Sequence, residues 1–306
     1  MKRSNRLIQG RAGLVAMSAA VMLTVPSPTE ASSLGEQCRQ GNLSSCQTLC
    51  NRGFDKACNR LRMGARRNRP LMVSFGDKTV EAMQARGLVP TGLKPVYPER
   101  ATCTRIASYF GARTRHDGSR RVPFANFGYH GGIDLSLSSG TPVMAIASGT
   151  VIHKRQGGLL IGVEVFLRHA PQDTGLKVWT FSKYKHFLRM PKLAVGQRLA
   201  MGETVGLSGR TGTVGGHFGQ RGYPHLHLST YMSASGVYSA KNGQVMIDGA
   251  RHVDPLAFYF RRELDSHRVR ALPKDQRKVV IPYKTADGAV VPEQSPTIWP
   301  VACARR

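Results

Sequence analysis

His225-Leu226-His227 and, upstream of it, His130-Gly131-Gly132-Ile133-Asp134 hold four side chains of the kinds that bind divalent metals. Brought together they supply three ligands and one spare histidine, which is the inventory of a hydrolytic zinc site with one position open to water. Residues two apart on a strand share a face. His225 and His227 therefore point one way, and Leu226 and Leu228 point into a core. Only one of the two imidazoles need bind the metal. The other would stand beside whatever the metal activates, the place of a general acid or base. In the upstream cluster Gly131 and Gly132 are expected to turn the backbone tightly, so that an imidazole and a carboxylate converge on one ion.

These clusters need rigid elements to carry them. From Cys103 to about Tyr259, short apolar or alternating runs are punctuated by glycine. Residues 141–147, 149–153, 163–167, 177–181 and 204–208 read as strands. Helical periodicity is scarce, so the expectation is a mainly β, antiparallel domain with the site carried near its connections. Before it, residues 71–102 read as a connecting arm with one amphipathic helix over 78–86 and then a Gly- and Pro-rich stretch. After it, residues 261–306 read as a basic, Pro-rich tail.

The chain has 306 residues, of which 41% are hydrophobic, as suits a folded protein. Its start reads as an export signal over residues 1–31. Lys2, Arg3, Arg6 and Arg11 precede an apolar run over 12–25 that is too short to span a bilayer comfortably, and cleavage is expected after Ala31. Losing four basic and one acidic side chain takes the formal charge from +26 to +23. So basic a protein is drawn to polyanions, and in an exported protein that means anionic wall polymers or the envelope surface. No nucleic-acid-binding motif is present, and no transmembrane anchor is expected after cleavage.

All six cysteines follow the signal, an even count that favours disulfides in an exported chain. Over residues 32–70 a twelve-residue unit repeats, Cys38 to Leu49 and Cys50 to Leu61, each a turn around a glycine. Pairs Cys38–Cys46 and Cys50–Cys58 are expected, although four cysteines permit three pairings. The spacing resembles that of cysteine-rich helix-pair repeat proteins; a zinc knuckle is the other reading. A basic linker with Arg60, Arg62, Arg66, Arg67 and Arg69 follows. Cys103 and Cys303 bracket the main domain and are expected to clasp the tail to it.

Further motifs accompany the histidine clusters: Ser108 to Arg113, Gly140 to Val143, Ala147 to Val151, Tyr184-Lys185-His186, Val195 to Gln197 and Gly206 to Gly212. In this order, from about Cys103 to Pro255, the chain resembles the lysostaphin/LytM-type zinc endopeptidases, which cut peptide cross-links in bacterial cell walls. The resemblance implies a zinc endopeptidase domain over 103–260, with a groove holding one zinc ion. It implies His130, Asp134 and His227 as ligands, and His225 and His186 as catalytic residues that share acid–base and oxyanion roles. It implies peptidoglycan as substrate, and with the export signal the expected location is the periplasm or cell envelope, or outside the cell. The alternative is a non-hydrolytic regulator that binds wall or activates an amidase, as degenerate members of the family do.

Two departures from the family stand out. The stretch between Gly212 and His225 is long and rich in glycine (Gly215, Gly216, Gly219, Gly222), and Ser229 stands where the family often has a carboxylate. Among the other histidines, His169 reads as structural and His217 as a surface residue. His116, His153, His252 and His267 show no pattern.

Overall fold

The computed structural model describes residues 28–39, 45, 48–49 and 77–305, save 122, 124, 214–221 and 242–243. The apolar run over 12–25, Cys46, Cys50 and Cys58, the arginines of 60–69, and Gly215, Gly216, His217, Gly219 and Arg221 lie outside the described residues. The chain divides into two compact units, residues 1–68 and 69–306.

In the first unit, helix α1 (Pro28–Arg39) runs unbroken through Ala31. Cys38 and Leu49 are buried, with Leu34 packed against them. Cys38 is disulfide-bonded, and no described cysteine is free. Among the described residues no helix is long and apolar enough to cross a membrane.

The second unit is built on an antiparallel sheet. Its strands lie in the order β3 (Ile106–Ser108), β4 (Ile133–Ser136), β11 (His225–Ser233), β8 (Trp179–Lys185), β7 (Val163–His169), β6 (Gly149–Gln156) and β9 (Arg198–Leu199). A further strand, β14 (Arg251–Val253), pairs with β11 beyond the end of β4. All of these pairings are antiparallel. A mainly β, antiparallel domain is thus what the sequence predicts and what forms. One small parallel pair joins β1 (Lys94–Val96) to β15 (Lys278–Val280). Short antiparallel pairs join β2 (Ala101–Thr102) to β18 (Ala304–Arg305), β5 (Pro142–Met144) to β10 (Thr204–Leu207), β12 (Tyr238–Lys241) to β13 (Gln244–Ile247) and β16 (Tyr283–Lys284) to β17 (Val290–Val291).

Local differences from the expected strands have local causes. Over 141–147 only β5 is a strand. The amides of Met144 and Ala145 donate to Pro300 and Glu203, and the Ile146 carbonyl accepts from Ile298, so this backbone is satisfied outside a regular ladder. Where 177–181 was expected, β8 runs on to Lys185, because β11 and β7 pair with it along that length. The helix expected over 78–86 is α2 (Val80–Ala85), capped by the Thr79 side chain, which accepts from the Ala82 amide.

Alternation along the strands sorts the two faces. Ile133, Leu135, Leu226, Leu228, Tyr184, Val163, Val165, Leu167 and Val151 point into one large core. Met83, Leu88 and Leu93 of the 71–102 segment, and Val279, Ile281, Trp299 and Val301 of the 261–306 segment, belong to that same buried cluster. Trp299 is fully buried, and its indole N–H donates to the Thr104 carbonyl at 3.0 Å. The Cys103–Cys303 disulfide, as expected, ties the two ends together across 200 residues of chain. A constraint on so long a loop removes on the order of 5 kcal/mol of chain entropy from the unfolded state. The other face carries a smaller cluster (Ile152, Phe166, Phe181, Tyr231, Ile247, Ala250) and, beside it, the polar residues of the site.

His169, expected to be structural, is fully buried on β7. Its Nδ1–H donates to the Ser148 carbonyl and its Nε2 accepts from the Ser182 hydroxyl, both at 2.7 Å. Burial pushes its pKa down to about 4. In the unfolded chain the same ring takes a proton near the ordinary value of about 6.5. Its contribution is therefore fully present above pH ~6.5 and is lost as the pH falls towards 4. Unfolding free energies measured at pH 7 and pH 4.5 should differ less in His169→Gln than in the parent, by roughly 2 kcal/mol. Equal differences in the two proteins would show that His169 does not carry this linkage.

Candidate metal centre

On β4, Asp134 lies between two core residues and so faces away from the core. On β11, His225 and His227 do the same, as alternation requires. Register then brings ligand to ligand, for His227 sits directly opposite Asp134. His130 precedes β4 in a segment that passes very close to β11. A Cβ on Gly132 would lie 2.1 Å from the Leu228 carbonyl oxygen. Gly132 thus serves the close approach of two backbones, and the chain bends at Gly131 and Gly132 without a positive φ.

His186 follows the last residue of β8. Simple alternation would send it to the same side as Tyr184, into the core. Its backbone is left-handed instead (φ 69°), and the ring turns to the site face. There it lies 4.7 Å from the His225 ring and 6.0 Å from the His227 ring, centroid to centroid. A non-glycine residue held in that conformation costs about 1 kcal/mol or more and persists where the surroundings enforce it. All five site residues anticipated from the sequence are therefore gathered on one face.

Each imidazole is fixed by one ring nitrogen and offers the other. His130 Nδ1–H donates to the Tyr109 carbonyl at 2.9 Å and leaves Nε2 inward. His227 Nε2 meets the Ser229 hydroxyl at 2.9 Å and leaves Nδ1 inward. His186 Nδ1–H donates to the Thr211 carbonyl at 2.8 Å, and His225 Nδ1–H to the Tyr223 carbonyl at 2.9 Å. Such outer partners select tautomer and ring orientation. Asp134 Oδ1 lies 3.0 Å from His130 Nε2 and 2.9 Å from His227 Nδ1, and these two nitrogens are 3.0 Å apart. Lone-pair atoms so close repel one another unless a cation or protons lie among them. Among the described residues, His130, Asp134 and His227 form a group of ligand-type side chains that could share one ion. Two imidazoles and a carboxylate suit zinc. His225 Nε2 stands 3.8 Å from the same carboxylate oxygen, next to the donor set but outside it.

Burial shapes the charge states. It drives His130 and His227 below the usual imidazole range, which keeps both neutral and able to ligate. It lowers His186 strongly too, helped by the neighbouring charges of His225 and Lys185. For Asp134 burial acts upward, but the closeness of His130, His225 and His227 outweighs it and holds the carboxyl well below the usual carboxylate range. Lys185 stands opposite His227 on β8, and Glu164 stands opposite Lys185 on β7. Burial and the adjacent Lys183 bring the Lys185 ammonium down to about 8, and it donates to the Leu160 carbonyl.

Several residues of the site carry no signal in the sequence. Arg121 reaches Asp134 Oδ2 at 3.1 Å. The Tyr223 ring stacks on His225 at 4.6 Å, and His116, patternless in sequence, packs against Tyr223 at 4.3 Å. Ser229, by contrast, is marked in the sequence as a departure from the resembling family, and it supplies the partner of His227 Nε2.

An antiparallel sheet that presents two histidines and a carboxylate to one point supplies a donor set of the kind hydrolytic metal centres use. Residues 128–238 match the family model described as Peptidase family M23. It is 35% identical over 135 residues to an uncharacterized metalloprotease of Haemophilus influenzae, covering 44% of this chain and 24% of that protein. It is 28% identical over 169 residues to the peptidoglycan DD-endopeptidase ShyA of Vibrio cholerae, covering 54% and 34%. The aligned part thus spans about a quarter to a third of the curated relatives' length. Among solved structures, the catalytic domain of the antimicrobial peptidase lysostaphin from Staphylococcus simulans aligns at 24% identity with a TM-score of 0.33, covering 47% of this chain and 88% of that one.

A metal held only by the folded site stabilises the folded state by mass action. Chelation should therefore lower the thermal unfolding midpoint of the purified protein, and re-addition of zinc should restore it. In Asp134→Ala the midpoint should be insensitive to both. A variant that still responded fully to zinc would place the ion elsewhere.

Proposed function

We propose that the protein is a zinc-dependent endopeptidase that hydrolyses peptide cross-links of bacterial peptidoglycan. The observation that carries this reading is the convergence of His130 Nε2, Asp134 Oδ1 and His227 Nδ1, with two further inward-facing imidazoles beside them. Relatives named peptidoglycan DD-endopeptidases support the choice of substrate. A complete set of five side chains favours hydrolysis over the regulator reading. The formal charge, +26 over the whole sequence and +23 once residues 1–31 are lost, suits an exported protein working against the anionic polymers of the envelope.

Zinc bound by the three donors would polarise the scissile carbonyl and bring the pKa of water towards neutrality. The chain's own residues manage the protons. His225 presents a bare Nε2, because its Nδ1–H is committed to the Tyr223 carbonyl. It takes the proton of the attacking water and returns it to the leaving amine. His186 likewise presents a bare Nε2, with its Nδ1–H on Thr211. In its neutral form it accepts, and it donates to a developing oxyanion only while it carries a second proton. Burial and the nearby Lys185 charge oppose that protonated form, so in the resting site His186 is an acceptor, and it donates to an oxyanion only where it, in place of His225, has taken the water's proton.

Mass spectrometry of muropeptides released from purified peptidoglycan tests the proposal. The zinc-loaded protein should convert cross-linked dimers to monomers. His225→Ala should bind zinc normally and release them at least ~100-fold more slowly. Undiminished release by His225→Ala would remove it from proton transfer, and no release by the zinc-loaded parent would sink the endopeptidase reading.

A further inference from the structure

Asp134 has two carboxylate oxygens in different surroundings. Oδ1 faces His130 Nε2, His227 Nδ1 and, further off, His225 Nε2. Oδ2 faces the Arg121 guanidinium, whose Nη2 lies 3.1 Å from it and 2.7 Å from the Ser108 hydroxyl. Both partners of this ion pair are largely buried, with side-chain exposures of 17% and 7%. Arg121 is not a stray surface cation. It closes a tight hairpin in which Thr114 bridges Arg120, the Arg115 amide donates to Ser119, and the Arg121 amide donates to the Arg113 carbonyl. Ser108, its other anchor, sits opposite Asp134 in the β3–β4 pairing. The guanidinium is thus held from the strand beside the ligand and from the hairpin at once.

We propose that Arg121 is a positioning residue of the metal centre, whose guanidinium occupies Asp134 Oδ2 and confines the carboxylate to ligation through Oδ1 alone. This rests on the metal reading above. A catalytic site with three protein ligands works because a further position stays open. A carboxylate free to turn can bring its second oxygen to the same ion and fill that position. A charge-assisted hydrogen bond of the kind Arg121 makes resists such a turn, and outer partners of metal ligands commonly matter this much. The hairpin that carries Arg121 also carries His116, which packs against Tyr223 and through it against His225. One short loop therefore braces both a ligand and the proton carrier.

Zinc-edge X-ray absorption on the full-length, zinc-loaded protein tests this, with zinc alone as the probe. The parent should fit a first shell of about four nitrogen or oxygen ligands. Arg121→Met should gain a ligand, to about five, with kcat falling more than KM changes. Arg121→Lys, which keeps a cation against Oδ2, should return the shell to about four. Arg121→Leu, which likewise leaves no donor against Oδ2, gives the same reading as the methionine variant if that variant does not fold. An unchanged shell in a folded Arg121→Met or Arg121→Leu overturns the proposal and leaves the metal reading intact. A parent that binds no zinc overturns both.

Discussion

Asp134 Oδ1, His130 Nε2 and His227 Nδ1 are held within about 3 Å of one another in a buried place. Mutual repulsion and lost hydration make this arrangement expensive without a cation at its centre. Much of the fold is concerned with enforcing it. The antiparallel register of β4 and β11 sets Asp134 opposite His227, and the close pass at Gly132 brings in His130. Leu226, Leu228, Ile133 and Leu135 anchor the same two strands in the core, so the site cannot relax without moving the core.

Around this centre every imidazole is committed on its outer side. Backbone carbonyls of Tyr109, Thr211 and Tyr223 and the hydroxyl of Ser229 take one ring nitrogen each. Carbonyls only accept, so they fix which nitrogen carries the proton. Chemistry then follows from backbone placement as much as from side-chain identity. Burial adds the second control, because neutral histidines ligate and accept protons whereas protonated ones do neither.

Part of this is legible in the sequence. Period-two alternation at His225-Leu226-His227 sets the facing of three residues by spacing alone, and apolar runs mark β6, β7 and β8 of the sheet and the separate pair of β5 and β10. His186 is different. Alternation assigns it to the core side, and only its left-handed backbone brings it round; the resemblance to a family, not the spacing, pointed to it. Arg121 and Tyr223 have no local signature, since their importance lies in which distant residue they touch. The same holds for Trp299, which lies in a Pro-rich tail yet shares one core with the sheet. Packing between segments far apart in the chain is set by the whole fold, and no window of sequence contains it.

Anomalous diffraction at the zinc edge, from crystals of the full-length protein grown with zinc, tests the central claim most directly. The account predicts a single strong peak within bonding distance of His130 Nε2, Asp134 Oδ1 and His227 Nδ1, with His186 and His225 close by but not bonded. A peak held by other residues, or no peak at these three atoms, would contradict it.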